Sequence, residues 1–341
     1  MRRRLTRREK RSRRKKSIIL STLCLLFVMT AGYAAFQTNL NITAKGNIKE
    51  PGRVIQSWEQ YSNEDFHADY YRENIVSATF LDTNQVANNA TESWDVSEDG
   101  KGGVKAWVVP TTEDNTKYDL YIGANGGVIA NEDSSYLFYY FTGLRNINFN
   151  DKFDTSNVVD MSYMFSLCSS LTSLDLNSFN TSKVTSMKAM FSMWNNDNTA
   201  TQLTELNVSN FDTRNVTTMR DMFAECNKVT KLDVSNFNTA NVTDMYHMFY
   251  GCGGLMELDV IRWNTEKVTS MAGMFWGCKN IEVLNLCSFD IVNVINMYAM
   301  FASTTNIRNI YVNEKWDITG KADTADMFAN SGVSSVTTGL C

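Results

Sequence analysis

A Met-Phe dyad recurs seven times, at Met164-Phe165, Met190-Phe191, Met222-Phe223, Met248-Phe249, Met274-Phe275, Met300-Phe301 and Met327-Phe328, with steps of 26, 32, 26, 26, 26 and 27 residues. A period in this range means one small unit repeated. Each unit is too small to bury its own apolar face, so neighbours must stack to share a core. Such a chain presents surface more readily than it encloses a catalytic cleft.

The units align from Leu144, Leu171, Leu203, Val229, Leu255, Ile281 and Ile307. The first half of each runs apolar, two variable, apolar, one variable, apolar, as in Val229, Leu232 and Val234. Its end alternates with period 2, which predicts a short strand with Leu232 and Val234 inward and Lys231, Asp233 and Ser235 outward. An aromatic follows at Phe153, Phe179, Phe211, Phe237, Trp263, Phe289 and Trp316, placed to cover the turn that leaves the strand. In the second half Val242, Met245, Met248, Phe249 and Cys252 fall on one face of a helix, so a helix of two or three turns is expected. Thr217, Thr243 and Thr269 lie where a hydroxyl would cap its start.

The phrase VTKLDVSNFNTANVTDMYHMFYGCGG, Val229 to Gly254, resembles the BspA-like leucine-rich-repeat surface proteins of bacteria, and the resemblance covers roughly residues 120 to 335. It implies a secreted or surface-displayed protein and, for some members, adhesion to host matrix proteins or to other cells. It names no ligand, because function on a repeated scaffold resides in the exposed positions. The expected fold is therefore α/β: a leucine-rich-repeat solenoid of about seven strand-helix repeats of ~26 residues with a mixed α/β N-terminal cap.

Residues 2 to 16 hold eleven Lys or Arg against Glu9 alone, and 17–36 is almost wholly apolar or small. That order places the N-terminus in the cytoplasm and the remainder outside. Gly32-Tyr33-Ala34 offers a signal-peptidase site after Ala34, whereas the run is also long enough for an uncleaved transmembrane anchor. Both readings stand. Cys24 has no small residue directly before it, so a lipoprotein signal is not expected.

The whole chain has 32 basic and 37 acidic residues; without the leader's eleven and one, residues 17–341 keep 21 against 36, a charge of −15. So acidic a remainder argues against nucleic-acid binding, which needs clustered Lys and Arg. The basic block beside an apolar run reads as a membrane signal instead.

The boundaries expected are a basic segment 1–16, a signal or transmembrane segment 17–36, a tether 37–49, a cap 50–143, the repeats 144–335 and a tail 336–341. Within the cap, Val104, Ala106 and Val108 alternate as in a half-buried strand, and Asn125-Gly126 suits a hairpin between 118–122 and 128–130. Leu137-Phe138, 27 residues before Met164-Phe165, marks a degenerate first repeat.

Cys168, Cys226, Cys252 and Cys278 each follow their dyad's Met by four residues, as buried filler would. Cys287 and Cys341 break that pattern and are candidates for a free thiol or an intermolecular link. Asp233 and Asp259 lie on adjacent rungs of the exposed strand face, but no metal is expected there, and no cofactor elsewhere. The histidines are His67 and His247, with His247 expected at an exposed helical position, and no catalytic constellation accompanies them. An enzyme is not expected.

Two surfaces are candidates for a partner. One is the strand face, with Asp233 and Asp259. The other is an aromatic group, Tyr246, Tyr250, Trp276 and Tyr298, joined by Trp194 in the six-residue excess of the 32-residue step. The expected function is adhesion through an extracellular protein or cell-surface ligand, with a structural envelope protein or a glycan-binding module as the alternative.

Overall fold

In the computed structural model, residues 52–194, 201–320, 323–339 and 341 are described. The segments 1–16, 17–36 and 37–49 assigned above lie outside them, as do Asn195 to Asn198 of the insertion. Pro51–Cys341 forms one compact unit.

The alternating segment around Trp107 is strand β3 (Val104–Pro110), with Val104, Ala106 and Val108 fully buried. It sits in a five-stranded mixed sheet ordered β2-β3-β4-β1-β6, made with β1 (Ile75–Leu81), β2 (Glu92–Asp95), β4 (Tyr118–Ala124) and β6 (Asn146–Asn148). β3 runs antiparallel to β2 and β4, whereas β1 runs parallel to β4 and β6. The Asn125-Gly126 turn forms, with the Gly127 N–H donating to Ala124 O at 2.9 Å, but no hairpin results. β5 (Val128–Ile129) leaves β4 and pairs in parallel with β7 (Phe153–Asp154), since the parallel stacking of the repeats begins there.

The strand-helix leucine-rich-repeat solenoid is overturned. The only helices among the described residues are a 3₁₀ turn, Trp58–Gln60, and an α-helix, Asp69–Asn74, and both precede the repeats. The Met-Phe half of each repeat is a run of tight turns. The residue before each dyad is left-handed, as at Tyr163, Ala189, Asp221, His247, Gly273, Ala299 and Asp326, where φ is +50° to +58°. A second left-handed residue follows three positions after the Met, at Leu167, Glu225, Gly251, Gly277, Ser303 and Asn330. No right-handed helix can hold such residues, and each non-glycine among them costs about 1–2 kcal/mol.

What offsets that cost is hydrogen bonding between repeats. Met219, Asp221, Phe223 and Glu225 donate their N–H groups to the carbonyls of Asp244, Tyr246, Met248 and Tyr250 on the next rung, at 3.0, 2.8, 3.0 and 2.6 Å. The intervening Met222, Ala224 and Cys226 donate three residues back, to Met219, Asp221 and Phe223. Half the donors are satisfied within the turn and half across the rung, so the buried backbone is paired without a helix. Single parallel bridges repeat the alignment from Asp133 through Asp160, Ser186, Thr218, Asp244, Ser270 and Asn296 to Asp323. Leu137-Phe138 makes the first rung, with Phe138 N–H bonded to Met164 O at 2.9 Å.

Inside, the Phe of each dyad lies flat on the next. Phe138, Phe165, Phe191, Phe223, Phe249, Phe275, Phe301 and Phe328 stack with centroids 5.6–5.9 Å apart. Burying each such side chain contributes about 1.5–3 kcal/mol. Thr217, Thr243 and Thr269 cap no helix: their hydroxyls donate to the carbonyls of Thr185, Thr217 and Thr243 on the preceding rung.

The strand half is only partly sheet. β8 (Ser173–Leu174) pairs with β9 (Glu205–Leu206), and β10 (Val283–Leu286) with β11 (Asn309–Val312), all in parallel. Between them, 230–234 and 256–260 keep the inward Leu232, Val234, Leu258 and Val260 but form no ladder. Cys287 and Cys341 are joined in a disulfide with Cα atoms 5.6 Å apart, while Thr337 bridges in parallel to Tyr311 of β11.

Candidate functional site

The face built by the turn runs carries the aromatic group. Where neighbouring repeats place Cys226 and Cys252 inward, the insertion starts with Trp194, which turns out and is 47% exposed. Its indole reaches past the Asp221 rung and lands on the rung beyond, edge-on to His247 at 5.6 Å and tilted on Tyr250 at 5.7 Å. Tyr250 meets Trp276 edge-on at 5.4 Å, and Trp276 meets Tyr298 at 6.3 Å. Tyr246 joins through His247, whose ring lies between Tyr246 at 3.8 Å and Tyr250 at 4.7 Å. The five aromatic residues singled out from the sequence thus form one connected patch.

His247 does not take the exposed helical place expected of it. It is left-handed and 6% exposed, under Trp194 and against Gly273. Its Nδ1 lies 3.6 Å from Asp221 Oδ1, beyond hydrogen-bond reach, and both atoms are buried without a hydrogen-bond partner. Sequence reading missed this pair, and also Arg220 and Glu225. The one available signal was that all four are charged or titratable residues at turn positions that vary from repeat to repeat, as Leu167, Met193, Glu225, Gly251 and Ser303 do at one of them.

Arg220 shows what this face does with a cation. Its guanidinium lies 3.9 Å above the Tyr246 ring, with Nε 3.2 Å from Asp221 Oδ2 and a terminal nitrogen 3.7 Å from Asp244 Oδ2. Glu225, one turn further along the same rung, is half-buried beside Gly251, where an added Cβ would fall 2.5 Å from its Oε1. Burial raises the Glu225 carboxyl above its ordinary value, against the opposing pull of Asn227 and Lys279. Burial likewise raises the Tyr246 and Tyr250 hydroxyls.

The strand face is different in kind. Asp233 and Asp259 are exposed there, but each carboxylate accepts its own turn: the Ser235 N–H at 3.1 Å and the Ile261 N–H at 3.2 Å. The Ser235 hydroxyl, donating to Asp233 Oδ1 at 2.7 Å, and the Ser235 N–H hold the Asp233 carboxyl below its usual range. A shallow cleft lies between the two residues, lined also by Leu232, Glu257, Ile261 and Val283. Among the described residues no cluster of His, Cys, Asp or Glu could hold a metal ion.

The four cysteines of the repeat are buried free thiols, their Sγ atoms 3.0–3.3 Å from the carbonyls of Phe138, Phe191, Phe223 and Phe249. Burial pushes the Cys226 thiol up to about 12 and raises the other three well above the ordinary thiol value. They are inert packing.

The repeats match a protein-family model, "Mycoplasma protein of unknown function, DUF285", over residues 132–199, 192–257 and 230–337. The chain belongs to this family. The DUF285 match covers every rung from Asp133 onward and includes the aromatic patch, but it does not extend to a leucine-rich-repeat assignment. No curated protein and no solved structure matches the chain. Among the described residues no helix is long and apolar enough to cross a membrane, so the expected transmembrane helix is not found there; the apolar run 17–36 lies outside those residues.

Proposed function

We propose that this DUF285 protein acts outside the cell as a non-catalytic binding protein, adhering to host matrix or to other cells through an extracellular protein ligand. The observation that carries the reading is the connected patch of Trp194, Tyr250, Trp276 and Tyr298, with Trp194 47% and Tyr298 37% exposed. Rigid aromatic side chains held on a bonded backbone give large contact area at little entropic cost, as interface hot spots do. Three further features support export: the basic-then-apolar N-terminal sequence, the Cys287–Cys341 disulfide, which persists in oxidising compartments, and the resemblance of 229–254 to BspA-like surface proteins.

The test is binding of the protein to an array of matrix proteins and glycans, repeated with Trp276→Ala and Tyr250→Ala together. Protein binding that falls on substitution supports adhesion. A signal no higher than that of an unrelated acidic protein overturns it.

A further inference from the structure

The aromatic patch has a chemical preference that its exposure alone does not reveal. At Tyr246 the protein fills a cation site with its own Arg220: an aromatic face below the guanidinium and carboxylates, Asp221 and Asp244, at its edge. One turn along the same rungs the arrangement recurs, and among the described residues no cation lies over its rings. Tyr250 and Trp276 stand edge to face, Trp194 closes over Tyr250, and the Glu225 carboxylate lies beside Gly251, the residue after Tyr250. Glu225 is held by Asn227 and feels the charge of Lys279, but among the described residues no cation lies within 4.0 Å of its carboxylate, and burial still outweighs both.

Charge selects the occupant. Residues 52–341 carry 19 basic and 35 acidic side chains, a balance of −16, so a cationic surface is drawn in and an anionic one repelled. Aromatic rings bind guanidinium and ammonium groups through their faces, and arginine is the more frequent partner. A neutral glycan would use the rings and donate hydroxyls to Glu225, but it would bring no charge to balance the carboxylate.

We propose that the Trp194–Tyr250–Trp276 face binds an arginine side chain on a basic segment of a partner protein, with Glu225 as its counter-ion. This specifies the partner for the recognition role proposed above and rests on that reading. Arg220 on Tyr246 is the internal example of the same contact, and Trp194 supplies the outer ring.

The experiment measures binding of a fluorescent peptide of alternating Arg and Gly to the full chain, beside the same peptide with neutral citrulline for Arg, a Glu-Gly peptide and a hexamer of N-acetylglucosamine. The Arg peptide should bind at least about tenfold more tightly than the citrulline peptide. Glu225→Gln should weaken the Arg peptide about tenfold and leave the citrulline peptide unchanged, whereas Glu113→Gln, an equal charge change at an exposed site in the β3–β4 loop, should alter neither. Absence of Arg-peptide binding, or equal losses from Glu113→Gln and Glu225→Gln, overturns the proposal. Binding of the hexasaccharide or of an array protein that is lost with Trp194→Ala, without Arg-peptide binding, overturns the cation site while keeping the recognition face. No ligand lost with Trp194→Ala in either experiment overturns both.

Discussion

Thr239 and Asn264, on adjacent repeats, hold each other twice: the Thr239 Oγ1 donates to the Asn264 carbonyl at 2.8 Å and accepts the Asn264 N–H at 2.8 Å. The same clamp joins Thr155 to Asn180, Thr181 to Asp212, Thr213 to Asn238 and Thr265 to Asp290. One buried hydroxyl thus satisfies a donor and an acceptor that the chain leaves open as it turns from strand half to turn half. Thr239→Val keeps the shape and removes both bonds, which should cost about 1–3 kcal/mol. Amide exchange at Asn264 should accelerate, and Thr239→Ser should restore its protection. Unchanged exchange in the Val variant would show that the clamp carries no stability.

Gly273 takes the left-handed position before its dyad with φ +57°, and a Cβ built there would fall on the His247 ring, 2.6 Å from Nε2. Gly273→Ala must displace His247 toward Trp194 and hold alanine at positive φ. A loss of about 1–3 kcal/mol is expected, with a change in tryptophan emission as Trp194 shifts. Gly320→Ala is the contrast: it has the same sign of φ with nothing within 4 Å, so its cost should be limited to the backbone preference.

Reduction of Cys287–Cys341 should loosen the C-terminal segment that bridges to Tyr311. The link closes a separation of 54 residues, and its loss should lower stability by about 2–4 kcal/mol. Peptide mapping after mild reduction and alkylation should find label on Cys287 and Cys341, and on Cys168, Cys226, Cys252 and Cys278 only after unfolding. Label on the four buried thiols in the folded protein would contradict their placement in the core.

Glu225 should make the fold less stable at neutral pH than under mild acid. Its folded pKa is raised above the unfolded value, so between the two the folded state holds a proton that the unfolded chain has released. Stability therefore falls as pH rises through that interval. Glu225→Gln should raise the melting temperature at pH 7 by an amount worth under about 1 kcal/mol, and the gain should vanish below the ordinary carboxylate pKa. A variant less stable than the parent at pH 7 would mean that Glu225 is paired in solution.

Much of the interior is legible in the sequence. The inward Leu232, Val234, Met245, Met248, Phe249 and Cys252 are buried as their spacing implied, because burial in a stacked array follows the period of the apolar residues. The backbone path is not. Offsets of 0, 3, 7 and 10 place apolar residues on one face of a helix, and a chain of three-residue turns with left-handed links places the same residues inward. Both satisfy the pattern.

The aromatic residues of the site stand out as departures from the repeat, yet their geometry came from elsewhere. Trp194 and His247 belong to different repeats, and nothing in the sequence places one ring on the other. His247 looked exposed because a helical reading set it between inward methionines on the outer face.

The sequence by itself determined the period of the repeat, the residues that fill the interior and the acidic balance of the chain, since periodic apolar spacing and charge are properties of the residues. Tertiary structure decided between helix and turns, joined Cys287 to Cys341 and assembled the Trp194 patch. The reason is physical: a helix closes its hydrogen bonds within one repeat, whereas these turns close half of theirs on the next, and that second set exists only once the repeats are stacked.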